Sequence, residues 1–161
     1  MAASNLVLIP IDSISELSRT VILHALKHSV VATDNVEILH IIKPSLFSAM
    51  QCAYEHREIV EVTQRLTKFV QEIVQASGVA NKVSLNVIHG EAKGHIMMEI
   101  SDRAPRLVVM GAHPHGPLAG TGSITGYVSQ RSPCPVLVLP HSIAKTAVPM
   151  EGSSSSIPIA A

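Results

Sequence analysis

RLVVMGAHPHGPLAGTGSITGYVSQRSPCPVLVLP, residues 106–140, is the stretch that decides how this chain folds. Leu107 to Met110 is a short apolar run rich in β-branched residues, the pattern of a strand buried on both faces. Gly111 ends it. A loop rich in glycine and proline follows as far as Gly122-Ser123, where a short helix begins with Ile124 and Val128 on one face. Pro133 and Pro135 stop that helix and bracket Cys134, and Val136 to Leu139 then has the composition of a second buried strand. Strand, glycine loop, helix start and strand together form half of an α/β unit suited to an anion. Glycine lets backbone N–H groups approach a ligand closely, and a helix start offers unpaired donors at the positive end of its dipole.

Upstream, the same alternation repeats. Leu6 to Ile11 is a nearly unbroken apolar strand with Asp12 at its carboxyl end. Ser13 or Ser15 is placed to cap a helix running to about Ser29, with Leu17, Val21, Ala25 and Leu26 inward. Asp34-Asn35 turns the chain into a strand over Val36 to Ile42, interrupted only by Glu37 and His40 and ended by Pro44. From about Ala49 to Ser77, Ile59, Val62, Leu66, Phe69, Val70 and Ile73 recur at helical steps, and Gly78 closes the helix. Val83 to Ile88 alternates like a half-buried edge strand. A helix over about Ala92 to Ala104 follows, with Ile96, Met97 and Ile100 inward and Pro105 after it.

The order βαβαβαβαβ with right-handed crossovers predicts an α/β fold. It is a five-stranded, doubly wound parallel sheet in the order 3-2-1-4-5, with helices on both faces. In that order the connections change direction between the first and fourth strands, which opens a crevice at their carboxyl ends. Asp12 stands at one lip and the Gly111 loop at the other. The site is thereby located before any motif is considered.

Composition is consistent with this. A chain of 161 residues is expected to make one domain over residues 1–141. Trp is absent and aromatics make up 2%, so aliphatic side chains must fill the core, as in helix-covered parallel sheets. The formal charge of zero gives no footprint for nucleic acid. No apolar run approaches the roughly 20 residues of a membrane span, and the start lacks a basic segment, so the expectation is a cytoplasmic protein with no membrane partner. Cys52 and Cys134 match no metal or redox spacing and are expected to be reduced, partly buried thiols. From Ser142 to Ala161 the Ser- and Pro-containing tail has no periodic apolar face and is expected to be disordered.

At these residues the sequence resembles the universal stress protein family, over nearly all of Leu6 to Leu139. The resemblance is carried by Ile11-Asp12 at the end of the first strand, His40-Ile41 in the second, and Gly90 before the third helix. Val109-Met110-Gly111-Ala112-His113 and the closing Pro133 to Val138 complete it. It implies an adenine-nucleotide site for ATP or AMP, with Mg accompanying ATP. The implied residues are Pro10, Asp12, Ile41, Met110, Gly111, His113, Gly122, Ser123, Ile124 and Thr125. Asp12 would face the ribose and the backbone of Ile41 the adenine, while Gly111, Gly122, Ser123, Ile124 and Thr125 would cradle phosphates. It also implies a homodimer through Val136–Leu139, whose bare apolar edge would otherwise invite aggregation.

The ATP-binding branch carries G-x2-G-x9-G-[ST]. Gly111 and Gly122-Ser123 match its ends, but Pro114 replaces the second glycine and the segment to Gly122 is two residues short. Pro114 has no N–H. Losing one hydrogen bond to a charged phosphate would cost about 1.5–3 kcal/mol, or roughly tenfold or more in affinity, unless Gly116 and Gly120 compensate. Two bland alternatives stay open: Asp12 as a cap of the first helix, and Ser123 as an N-cap with no ligand.

Other chemistries have less support. Gly120-x-Gly122-x3-Gly126 has neither the place nor the spacing of a dinucleotide fingerprint, and no G-K-[ST] is present for a P-loop. His24 with His28 and His113 with His115 are close pairs with no third metal ligand beside them, and Ser123 has no adjacent base. The sequence therefore predicts a nucleotide-binding stress regulator or sensor, not an enzyme, with slow ATP hydrolysis as a distant third reading. The alternative is a ligand-free dimeric interaction module of the same fold.

Overall fold

A computed structural model describes residues 4–44, 52–112 and 122–142. Its elements follow in strict alternation: β1 (Leu6–Ile11), α1 (Glu16–His24), β2 (Asn35–Ile42), α2 (Cys52–Ser77) and β3 (Lys82–His89). Then come α3 (Ala92–Arg103), β4 (Leu107–Gly111), α4 (Ser123–Arg131) and β5 (Val136–Leu139). The five strands form one sheet in the order β3-β2-β1-β4-β5, and every pairing is parallel. This is the predicted doubly wound topology.

β1 lies at the centre and shows why the sequence had to be apolar there. Its residues are buried from end to end. Val7, Ile9 and Ile11 join a core with Leu17, Val21 and Ile22 of α1 and Leu66, Phe69, Val70 and Ile73 of α2. Leu8 points the other way, into a second core with Ile96 and Ile100 of α3 and Val128 of α4. Alternate residues of a strand face opposite sides, so a strand with helices on both faces must be hydrophobic throughout.

Three local features refine the sequence reading. The first helix does reach Ser29, but its last turn, Ala25–Ser29, is π-helical. β5 is not a fully buried strand as expected: Val136, Leu137 and Val138 are only half-buried, and Leu139 alone is buried. The reason is position, since β5 is the last strand of the sheet and pairs with β4 alone. Finally, α3 ends on Ala104 in the left-handed conformation, with φ +43°. The expected helix end and Pro105 are otherwise as read, and Gly78 caps α2 with φ +70°.

Two charged clasps hold the sheet to its connections. Arg106 forms a two-pronged pair with the buried carboxylate of Asp34, joining the segment before β4 to the turn before β2. Glu37 reaches off β2 to Arg103 of α3, which also bonds Glu99. The expected tail lies almost wholly outside the described residues, from 143 onward.

Candidate functional site

The carboxyl ends of β1, β2 and β4 open onto a crevice of about 640 Å³. This is where a 3-2-1-4-5 sheet places ligands, and the volume lies within the range of small-molecule sites. Pro10, Asp12, Ile41, Met110, Gly111, Gly122, Ser123, Ile124 and Thr125 all line it. His113, the remaining expected residue, lies outside the described residues, as do Pro114 and the rest of 113–121.

The β4–α4 end of the crevice is built around backbone. Gly111 packs so close to α1 that a Cβ there would sit 3.1 Å from Leu17 and 3.2 Å from Val21. Gly122 is the N-cap of α4 at φ +88° and ψ 155°, a conformation essentially reserved for glycine. It carries no side chain to cap the helix, so the first turn, whose Ser123, Ile124 and Thr125 line the crevice, has no capping oxygen from that position. Thr125 is buried, and its hydroxyl donates to the Gly111 carbonyl at 2.9 Å, tying α4 to the end of β4. Its proton is therefore committed within the protein.

The starts of α1 and α3 differ. Ser15 caps α1, its hydroxyl oxygen accepting from Ser18 N–H at 3.1 Å. Of the two candidate serines, Ser15 therefore takes the role, and Asp12 does not cap the helix. Asp12 instead accepts a hydrogen bond from the Ser18 hydroxyl at 3.4 Å and stays exposed at the crevice lip. At α3, the Glu91 carboxylate accepts from Gly94 N–H at 2.6 Å and Lys93 N–H at 3.0 Å. Those bonds, Gly94 first and Lys93 next, hold the Glu91 carboxyl below its ordinary range. Both of these helix starts are satisfied by side-chain oxygens of the protein, whereas among the described residues no side-chain oxygen caps the start of α4, whose N-cap is Gly122.

The β2 end of the crevice is walled mainly by apolar side chains, Leu39, Ile41, Ile42, Val62 and Ile96, with His40, Lys43 and Glu58 beside them. His40 braces it: Nδ1 donates to the Ile11 carbonyl at 3.1 Å, linking the ends of β1 and β2. The sequence reading missed Ser18, Lys43 and Glu58, which also line the cavity. Lys43 was within reach of the argument already used, since it follows β2 at its carboxyl end. Glu58 was not, because only the packing of α2 brings it there.

Among the described residues, no group of three or more His, Cys, Asp or Glu is placed to hold a metal ion. His24 and His28 do share a face, with ring centroids 4.8 Å apart. Burial first and His28 second push His24 below its ordinary value. Among the same residues, no helix is long and apolar enough to cross a membrane.

The family model of the universal stress protein family matches residues 5–140. The chain belongs to the universal stress protein family. Several universal stress proteins share its fold at low identity. One, solved in complex with cAMP, is 16% identical with a TM-score of 0.66, the match covering 86% of this chain and 98% of that one. The universal stress protein from Archaeoglobus fulgidus in complex with dAMP is 17% identical, with a TM-score of 0.60 and coverage of 82% and 94%. A family protein from Arabidopsis thaliana with AMP bound is 17% identical, with a TM-score of 0.56 and coverage of 84% and 90%. An uncharacterized protein from Schizosaccharomyces pombe is 31% identical over 91 residues; the match takes in 55% of this chain and only 15% of that longer protein.

Proposed function

We propose that this universal stress protein is an adenine-nucleotide-binding regulator or sensor of the stress response. It would act in the cytoplasm by binding AMP or ATP rather than by turning a substrate over. The observation that carries the reading is the polarity of the crevice. One end presents the glycine-started first turn of α4 beside Gly111; the other is an apolar slot between β2, α2 and α3. A phosphate suits unpaired N–H groups at a helix start, a flat base suits the slot, and Asp12 between them suits ribose hydroxyls. Relatives of the same fold were solved with cAMP, dAMP and AMP. Mg²⁺ would arrive with ATP, held by its phosphates, since this ion is commonly bound that way rather than in an all-protein cage.

Titration calorimetry with AMP and ATP tests the proposal. Saturable heat with micromolar-range affinity, lost in Asp12→Ala, is the expected result; no heat and no thermal shift with either nucleotide would overturn it.

Pro114 favours a second reading, in which the family's phosphate loop has lost an amide and the chain serves as a ligand-free dimeric module joined through β5. The two separate on the ultraviolet spectrum of the acid-soluble fraction of freshly purified protein, read together with the titration and the oligomeric state. A nucleotide band supports the first reading. A dimer with no such band and no titration heat supports the second.

A further inference from the structure

The carboxyl end of α1 carries a pair of imidazoles that the nucleotide reading does not use. His24 ends the α-helix, and His28 follows one turn later in the π-helical stretch Ala25–Ser29. Neither lines the crevice. Their ring centroids stand 4.8 Å apart, with the ring planes at 48°. His24 is half-buried and His28 exposed, and among the described residues neither ring has a hydrogen bond or ion pair with another protein group. The backbone beneath them is held in place. Val30 N–H donates to the Ala25 carbonyl at 3.1 Å, closing the π-helical turn, and the Arg106 guanidinium donates to the Ser29 carbonyl at 3.0 Å.

Two imidazoles held at that spacing fit one metal ion. A histidine nitrogen binds zinc at about 2.0–2.1 Å and lies about 1.1 Å from its own ring centre, so an ion bound by both rings at roughly 90–110° sets the centroids about 4.4–5.2 Å apart. The observed separation falls inside that range. Rotation about each Cβ–Cγ bond, an axis that passes close to the ring centre, aims a nitrogen of each ring without changing the separation. The ligand type then selects the metal. Imidazole suits Zn²⁺, Ni²⁺ and Cu²⁺, whereas Mg²⁺ and Ca²⁺ favour oxygen ligands. Among the described residues no carboxylate joins the pair to make a group of three. A cation at the carboxyl end of a helix also gains from its dipole. We infer that His24 and His28 form a two-histidine chelate for a divalent transition-metal ion, its other positions filled by water. The site shares no residue with the nucleotide reading and does not depend on it.

Titration calorimetry of the full chain with Ni²⁺ tests this. Ni²⁺ is preferred to Cu²⁺, which oxidises free thiols such as that of Cys134. The tightest event is expected to take one Ni²⁺ per chain. His28→Ala, which removes an exposed side chain, should weaken it about tenfold or more, because the second bond of a chelate forms at a high effective concentration. His24→Ala should do the same. His56→Ala, which removes an exposed imidazole of α2, should leave it unchanged. Saturating Ni²⁺ should also raise the thermal midpoint of the wild-type protein and not that of His28→Ala, since a ligand that binds only the native state stabilises it. Absence of Ni²⁺ binding at millimolar concentration, a tight event that survives His28→Ala, or an equal loss in His56→Ala would overturn the inference.

Discussion

The carboxylate of Asp34 is 1% exposed, and it stays ionised because of what surrounds it. Burial alone would raise its pKa. The Arg106 hydrogen bonds, the Val31 N–H at 2.8 Å and the Arg106 charge outweigh burial, and the group is held below its ordinary value of 3.8. A carboxyl with a depressed native pKa contributes stability above its unfolded value and loses that contribution as pH falls through the native one. Asp34→Asn should therefore unfold in less urea at pH 7, by about 1–3 kcal/mol. The gap should hold steady from pH 7 to about 5 and narrow as pH falls below about 4, the unfolded-state range, through the lower native pKa. Parallel urea titrations across that range measure it; a gap constant down to pH 2 would contradict the assignment. Ala104 is the opposite case, a residue whose local choice the fold overrides. Its φ of +43° caps α3 where glycine is the usual occupant. Pro105 adds to the constraint, because the residue before proline is pushed out of the right-handed region. Left-handed geometry costs an L-residue about 1–2 kcal/mol, partly offset by the extra freedom glycine has when unfolded. Ala104→Gly is thus expected to raise the thermal midpoint, equivalent to about 0.5–1 kcal/mol, a sign that scanning calorimetry decides.

Among the elements, α4 has the closest link between local geometry and the proposed ligand. Its N-cap is glycine at φ +88°, and its first buried residue, Thr125, is bonded back to Gly111. Gly122→Ala would force a Cβ into a glycine-only conformation at a cost of about 1–3 kcal/mol and turn the first-turn N–H groups away from the crevice. The expected outcome is a lower melting temperature together with at least tenfold weaker AMP binding. Ser123→Ala should leave melting unchanged, because no side-chain cap of α4 is lost. Melting curves with and without AMP separate the two effects. The elements were the most legible level of this chain. Apolar runs, proline stops and the Gly78 end signal placed all nine of them, since periodicity reports which face is buried before tertiary structure is known. Two local outcomes were hidden from it. The π-helical turn at Ala25–Ser29 and the left-handed Ala104 come from packing and chain direction, not from residue preference. The site was legible in proportion to its backbone content. Gly111 and Gly122 announce themselves by type, and Asp12 by its place after β1, whereas Glu58 enters only because α2 lies across the sheet end.

For the molecule as a whole, the sheet order places β3 and β5 at the two edges, and the edges differ. β3 alternates exposed and half-buried residues over its first half, beginning with Lys82, so its composition discourages pairing. β5 is Val-Leu-Val-Leu with no charge, and three of its four residues are half-buried. Its ladder to β4 indicates which groups are left over. Val108 N–H donates to the Pro135 carbonyl and Ala112 N–H to the Leu139 carbonyl, so residues 135, 137 and 139 direct their backbone groups inward. By the alternation of a parallel ladder, the N–H and C=O groups of Val136 and Val138 point away from the sheet. We propose that a second copy pairs there. Proline at position 138 would remove one outward donor and none of the inward ones, and edge strands tolerate it. Sedimentation should find the wild-type protein dimeric at micromolar concentration and Val138→Pro monomeric, with a far-ultraviolet spectrum and thermal midpoint close to the wild type's. A wild-type monomer would overturn the pairing outright. A Val138→Pro dimer would move the interface elsewhere, since an edge deprived of that donor has lost half of the outward N–H groups that a partner strand would use.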